Sequence, residues 1–168
     1  MLISVLLVII IATQRILELG IAKRNEAWAR SRGAKEYGKE HYWMFFVLHP
    51  AWILGILLEG SIRNPSSPVW WAVIGYVALQ FARYSVIKNL GSYWNTKILI
   101  VPNGVRIASG WYSFIRHPNY VVVALELLIT PFLVGAFWPA LVFTLFTAVV
   151  MGVRIPLEER VFREEYVT

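Results

Sequence analysis

Residues 120–153 contain a single charged side chain, Glu126, and this stretch restricts what the chain can become more than any other. As one helix it would reach roughly 50 Å at about 1.5 Å per residue, well past a hydrocarbon core of about 30 Å. It has to fold back. Residues 135–139, Gly-Ala-Phe-Trp-Pro, supply the turn and predict a helical hairpin over 119–134 and 139–153. Each arm falls short of the roughly twenty residues of an ordinary span, so the hairpin is expected to tilt or to cross incompletely.

Three further apolar runs precede it. Residues 2–22 read as a first span, interrupted by Gln14, Arg15 and Glu18; Arg15 and Glu18 are three apart and share a helix face. That run lacks the basic leader and small-residue cleavage site of a signal peptide. Residues 42–58 form a second span, tilted or kinked at Pro50, with His49 beside it reading first as a packing residue. Residues 69–87 form a third, where Gln80 and Arg83 turn toward the bundle interior or snorkel outward. With 58% hydrophobic residues and no linker, the expectation is one all-α integral membrane domain over 1–168 with about five transmembrane helices. Residues 1–87 supply three N-terminal spans, and 88–168 the functional region.

The net charge of +6 matters through its distribution. Residues 23–41 carry six Lys and Arg, 88–118 carry four and the tail from Arg154 three, whereas the turn near 60 has one and the hairpin turn none. The positive-inside rule places the basic segments and the C-terminus in the cytoplasm and the N-terminus outside, in a multi-pass membrane protein. Residues 23–41 are expected to lie on an anionic leaflet rather than on nucleic acid. Cysteine is absent, and His41, His49 and His117 have no metal-ligand spacing, so no metal site is expected. Oligomeric state has no signature.

Residues 88–118 form the longest polar connection, with an apolar run at 98–101 and a turn at 102–104. It ends in Ser-Gly-Trp-Tyr-Ser-Phe-Ile-Arg-His-Pro-Asn-Tyr, residues 109–120. Pro118 suits the first turn of a helix and keeps His117 out of it, so Arg116, His117 and Asn119 gather at a helix mouth that favours an anion. Beyond the hairpin, Arg154 and Glu158 share a helix face and Glu159 turns about 100° away. Glu126 lies eight residues past Pro118, about 12 Å along the helix, and needs a partner, for which Arg83 or Arg15 is expected.

Leu90-Gly91-Ser92-Tyr93-Trp94, the run 98–102, Gly110-Trp111-Tyr112, Arg116-His117-Pro118-Asn119-Tyr120, Leu125-Glu126 and Arg154-Ile155 with Glu158-Glu159 together resemble the isoprenylcysteine carboxyl methyltransferase family over about half the chain. The small bacterial branch, associated with O-methylation of alkylpyrones, is the most similar; Trp111 stands where the family has Pro. The resemblance implies a methyltransferase that uses S-adenosylmethionine, releases S-adenosylhomocysteine and lacks a Rossmann domain. The sequence has no Gly-x-Gly fingerprint either. It implies that Arg116, His117, Pro118 and Tyr120, with Gly110 and Tyr112, hold the cofactor, that the backbone of Leu99, Ile100 and Val101 lines its adenine, and that Glu159 or Glu158 takes its hydroxyls or amino group. Arg154 would orient an anionic acceptor oxygen and Glu126 could serve as base, making Arg154, Glu158 and Glu126 the catalytic set. The acceptor would be a lipophilic or lipidated molecule reaching the site from the bilayer, prenylcysteine-like or alkylpyrone-like. Sterol-type reductases share a similar C-terminal region that binds NADPH, and a non-enzymatic lipid-binding protein is the third alternative.

Overall fold

The computed structural model describes residues 1–166. Five α-helices occur in the expected order: α1 (Leu2–Arg30), α2 (Lys39–Arg63), α3 (Trp70–Leu90), α4 (Pro118–Ile129) and α5 (Phe137–Tyr166). Among the described residues, α1, α2 and α5 are long and apolar enough to cross a membrane, while Pro118–Val134 is a shorter apolar helix. Of the about five transmembrane helices expected, three among the described residues meet the length and hydropathy of a crossing. The broad character holds: leucines, isoleucines and aromatics such as Ile16, Phe46, Phe81 and Leu145 face outward, as lipid-facing side chains do.

The turn at 135–139 is where the apolar stretch folds back. A 3₁₀ turn, Thr130–Val134, ends at Gly135 with φ +68°, a left-handed conformation that costs glycine little, and α5 starts two residues later. Glu59 accepts hydrogen bonds from the Phe137 and Trp138 amides at 3.1 and 2.9 Å, so a carboxylate from α2 caps the start of α5. The buried core runs through Leu7, Ile11, Trp52, Ile56, Leu127 and Val150. Within it, Trp52 donates its indole N–H to the Leu127 carbonyl at 3.2 Å and fixes α2 against α4.

Three details are added. Residues 23–41 do not form one segment: 23–30 prolong α1, because Ala22, Asn25 and Ala29 are buried at helical spacing and continue the stripe of Leu7, Ile11 and Glu18. The second span extends beyond 42–58 at both ends, with Pro50 inside α2. The all-helical fold carries one short ribbon. Strands β1 (Lys35–Tyr37) and β2 (Ile98–Ile100) pair antiparallel, with Glu36 opposite Leu99. Ile98 and Ile100 pack against Val161, Leu157 and Phe162 of α5. The ribbon thus draws the end of α1, the 88–118 connection and the end of α5 together at one end of the bundle. Asn25 reinforces it by donating to the Gly91 and Trp94 carbonyls at 3.0 and 2.8 Å.

Candidate active site

Two cavities meet at this end. The larger, about 480 Å³, runs between α1 and α2. Its walls are apolar, with Ala12, Ile16 and Leu19 facing Phe46, Ile53 and Leu54. Ile16, Leu19, Phe46 and Leu54 are also 68%, 47%, 62% and 53% exposed, so the cavity opens sideways between the two helices onto the lipid-facing surface. The smaller, about 110 Å³, is bounded by β2, the 3₁₀ turn Gly110–Ser113, the start of α4 and the end of α5. Trp94, Asn95, Asn119, Tyr120 and Arg154 line both.

That common wall is held by a chain of hydrogen bonds. Arg154 is buried; its Nε donates to the Tyr120 hydroxyl at 2.8 Å, its Nη2 to the Thr96 carbonyl at 2.5 Å, and its guanidinium lies 4.9 Å from the Phe45 ring centroid. Tyr120 in turn donates to Glu158. Among the described residues Arg154 has no carboxylate partner. A buried cation without an anion carries a desolvation cost that an anionic ligand relieves.

Asn119 is the second fixture. Its Oδ1 accepts from Arg83 Nη1 at 3.2 Å and from the Trp94 indole at 3.3 Å. Arg83 also pairs with Glu18 at 2.7 Å, Glu18 with Arg15 at 2.8 Å, and Arg15 with Glu126 at 2.8 Å. Two cations and two anions thus neutralise one another between α1, α3 and α4, where a lone charge would be costly. Arg15 is the partner that Glu126 needed, and Gln80 adds a donor at 3.3 Å.

The helix mouth forms as expected, with His117 as N-cap and Pro118 in the first turn. It is narrower as an anion site than the sequence implies: the Tyr120 and Val121 amides already bond the His117 carbonyl, leaving that of Asn119. His117 Nε2 lies 2.7 Å from Glu159, which also accepts from Arg106 at 3.1 Å. Arg116 is exposed at the cavity rim without a partner among the described residues. Tyr112 lines the cavity, and burial, then the Glu158 charge, raise its hydroxyl pKa well above the ordinary range, so it stays neutral.

Of the sequence-derived site residues, Leu99, Ile100, Tyr112, Arg116, His117 and Glu158 line the smaller cavity, and Tyr120 and Arg154 line both. Val101, Gly110, Pro118 and Glu159 lie outside its lining, and Glu126 lines neither cavity. Gly110 has φ +58°, and a Cβ there would stand 2.0 Å from Asn89 Nδ2, so its contribution is the shape of the turn. Asn119, Trp94, Thr96 and Asn95 were missed as wall residues. Asn119 sits inside the Arg-His-Pro-Asn-Tyr run and was legible at least as a neighbour.

A helical membrane protein whose lateral apolar chamber shares a polar wall with a second chamber is the class this fold and site define. Residues 71–164 match the isoprenylcysteine carboxyl methyltransferase (ICMT) family, and the chain belongs to it. It is therefore a membrane protein of a methyltransferase family. An uncharacterized protein, YpbQ, of Bacillus subtilis (strain 168) is 38% identical over 161 residues, 95% of this chain and 96% of that protein. An uncharacterized protein of Haemophilus influenzae is 30% identical over 149 residues, 86% of each.

Proposed function

We propose that the protein transfers a methyl group from S-adenosylmethionine to an oxygen of a lipophilic acceptor across the wall formed by Trp94, Asn119, Tyr120 and Arg154. The observation that carries this is the shared wall: the larger chamber is lined mostly by apolar side chains, the smaller by a mixture of polar and apolar groups, and Trp94, Asn95, Asn119, Tyr120 and Arg154 line both. The residues present fit the cofactor. Arg116, without a partner among the described residues, and the Asn119 amide suit its carboxylate. Glu158, which accepts only from Tyr120 among the described residues, has an oxygen left for its ammonium. Strand β2 has one neighbour, so its other edge offers main-chain groups to the adenine. Glu159, engaged by His117 and Arg106, positions His117 rather than meeting a ligand.

When bound, S-adenosylmethionine supplies an electrophilic methyl on a sulfonium. Arg154 holds the acceptor's anionic oxygen at the wall, and Tyr120 and Thr96 hold Arg154. Phe45 and Phe46 line the chamber and keep water from the reacting oxygen. Aligning two reactants this way is worth up to about 7–11 kcal/mol of the barrier. Glu126, clasped by Arg15 and Gln80 away from both linings, fixes α1 and α3 against α4 in this reading rather than acting as base.

The chamber end also gathers the basic segments, which supports a cytoplasmic active site with the N-terminus outside. A bacterial plasma membrane and one functional unit over 1–168 complete the proposal. Incubating the protein with lipid extract and a deuterated-methyl donor tests it by mass spectrometry: a labelled lipophilic product is expected, whereas a labelled water-soluble product or none contradicts it.

A further inference from the structure

Phe114, 88% exposed, is the most exposed large apolar side chain among the described residues. It stands in the 105–116 connection, where Val105, Trp111 and Ile115 are exposed as well. So many apolar side chains turned outward on an otherwise polar connection call for a cover. Their place against α3 decides which one. Trp111 donates its indole N–H to Ser85 Oγ at 3.1 Å, which pins the connection to the side of that helix. The Phe114 and Ile115 amides both donate to the Trp111 carbonyl, at 3.3 and 3.0 Å, so these two side chains stay beside the indole.

The depth of that point follows from α3 itself. Ile74, Val77, Phe81 and Tyr84 are exposed at helical spacing and continue the lipid-facing surface along the helix. The stripe ends at Lys88, exposed and without a partner among the described residues. Asn25 ties this end of α3 to α1 through the Gly91 and Trp94 carbonyls, and exposed Lys23 and Arg24 directly precede it. Basic side chains of two helices thus mark one level, that of phospholipid headgroups. Ser85 lies three residues before Lys88, about 4.5 Å along the axis toward the middle of the bilayer. From the other end the result is the same. Exposed Trp70 opens α3, and Ser85 stands about 22 Å from it along the axis, within a hydrocarbon core of about 30 Å.

We propose that the 105–116 connection is an interfacial anchor, with Trp111, Phe114 and Ile115 seated in the phospholipid leaflet on the hydrocarbon side of Lys88. Since Ser85 satisfies its N–H, the Trp111 indole presents apolar surface outward, as side chains of membrane-interface belts do. Ile107, Tyr112 and Arg116 of the same connection line the smaller cavity, so the leaflet backs one wall of that chamber. A segment that the charge pattern assigns to the cytoplasm is therefore in part a membrane element. The anchor does not depend on methyl transfer or on which nucleotide the chamber holds.

The chain has no cysteine, so a single introduced one carries a spin label without background. Full-length Phe114→Cys, labelled and placed in phosphatidylcholine nanodiscs, should be relaxed more by oxygen, which concentrates in the bilayer, than by a water-soluble nickel chelate. Phe81→Cys on α3 supplies the lipid-facing standard, and Arg163→Cys, among the charges that end α5, the water-facing one. A label at 114 that is shielded from the chelate as at 81 supports the anchor; one relaxed by the chelate as strongly as at 163 overturns it. Oxidation of the unsubstituted protein by hydroxyl radicals, read by mass spectrometry, guards against a label that itself draws the connection into lipid. In nanodiscs Phe114 should be oxidised no more than Phe81, although its ring is the more exposed of the two in the protein alone. Oxidation of Phe114 several-fold above that of Phe81 overturns the proposal.

Discussion

Arg154 and Tyr120 are joined at 2.8 Å from Nε to hydroxyl, and Tyr120 passes the contact on to Glu158. A cation facing the lipid-side chamber and a carboxylate facing the polar chamber are therefore linked through one phenol. Tyr120→Phe removes both bonds while keeping the ring. A hydrogen bond to a charged group contributes about 1.5–3 kcal/mol, so kcat/KM should fall by about 10- to 100-fold. Steady-state kinetics with an identified acceptor checks this, and unchanged kcat/KM would remove Tyr120 from the mechanism.

Glu126 and Arg15 are expected to matter for stability. Replacing Glu126 by leucine strands Arg15, and breaking a buried pair this way costs about 3–5 kcal/mol. Replacing Arg15 by methionine as well should restore much of that loss, since Glu18 keeps Arg83. Thermal unfolding in detergent measures both. A Glu126→Gln protein as stable as the wild type but inactive would instead return Glu126 to the chemistry.

The lateral opening predicts a tail-length effect. Ile16→Trp or Leu54→Trp fills the mouth between α1 and α2 without touching the wall. KM for a long-tailed acceptor should rise about tenfold, the equivalent of two buried methylenes at about 0.8 kcal/mol each, with short-tailed acceptors unaffected. Equal effects on both would place access elsewhere.

The ribbon end should loosen in alkali. Tyr37 donates to Glu165 at 2.5 Å, and that bond, with burial and the nearby carboxylates, pushes the Tyr37 pKa up to about 12 from about 10. A group whose folded pKa is raised stabilises fully below its unfolded value and ceases to as pH passes the folded one. The tie between β1 and the end of α5 should therefore weaken between about pH 10 and 12. Limited proteolysis of the C-terminal segment across that range reads it. Tyr37→Phe, which cannot ionise, should remove the dependence.

Where the sequence was informative, local physics decided the structure. The hairpin turn at Gly135, the mouth at Pro118 and the five helices follow from apolar length, glycine and proline, which act over a few residues. The Tyr120–Glu158 and His117–Glu159 contacts come from residues already singled out in the family-like motifs. The β1–β2 ribbon was not legible: strands of three residues are too short to show a period, and their pairing joins segments about sixty residues apart. The extension of α1 to Arg30 did carry a signal, the small residues Ala22, Asn25 and Ala29 at helical spacing, but the surrounding charges masked it. Asn119 could be placed at the mouth; that Arg83 and Trp94 both converge on it depends on tertiary packing.

A smaller chamber that holds S-adenosylmethionine against the wall at Tyr120 and Arg154 should show it in equilibrium binding to the protein in nanodiscs, with NADPH as the competing nucleotide. Saturable binding of S-adenosylmethionine, weakened by His117→Ala and by Glu158→Gln and indifferent to NADPH, is the predicted result. Binding of NADPH alone, or S-adenosylmethionine affinity untouched by both substitutions, would mean that the chamber holds a different nucleotide or none.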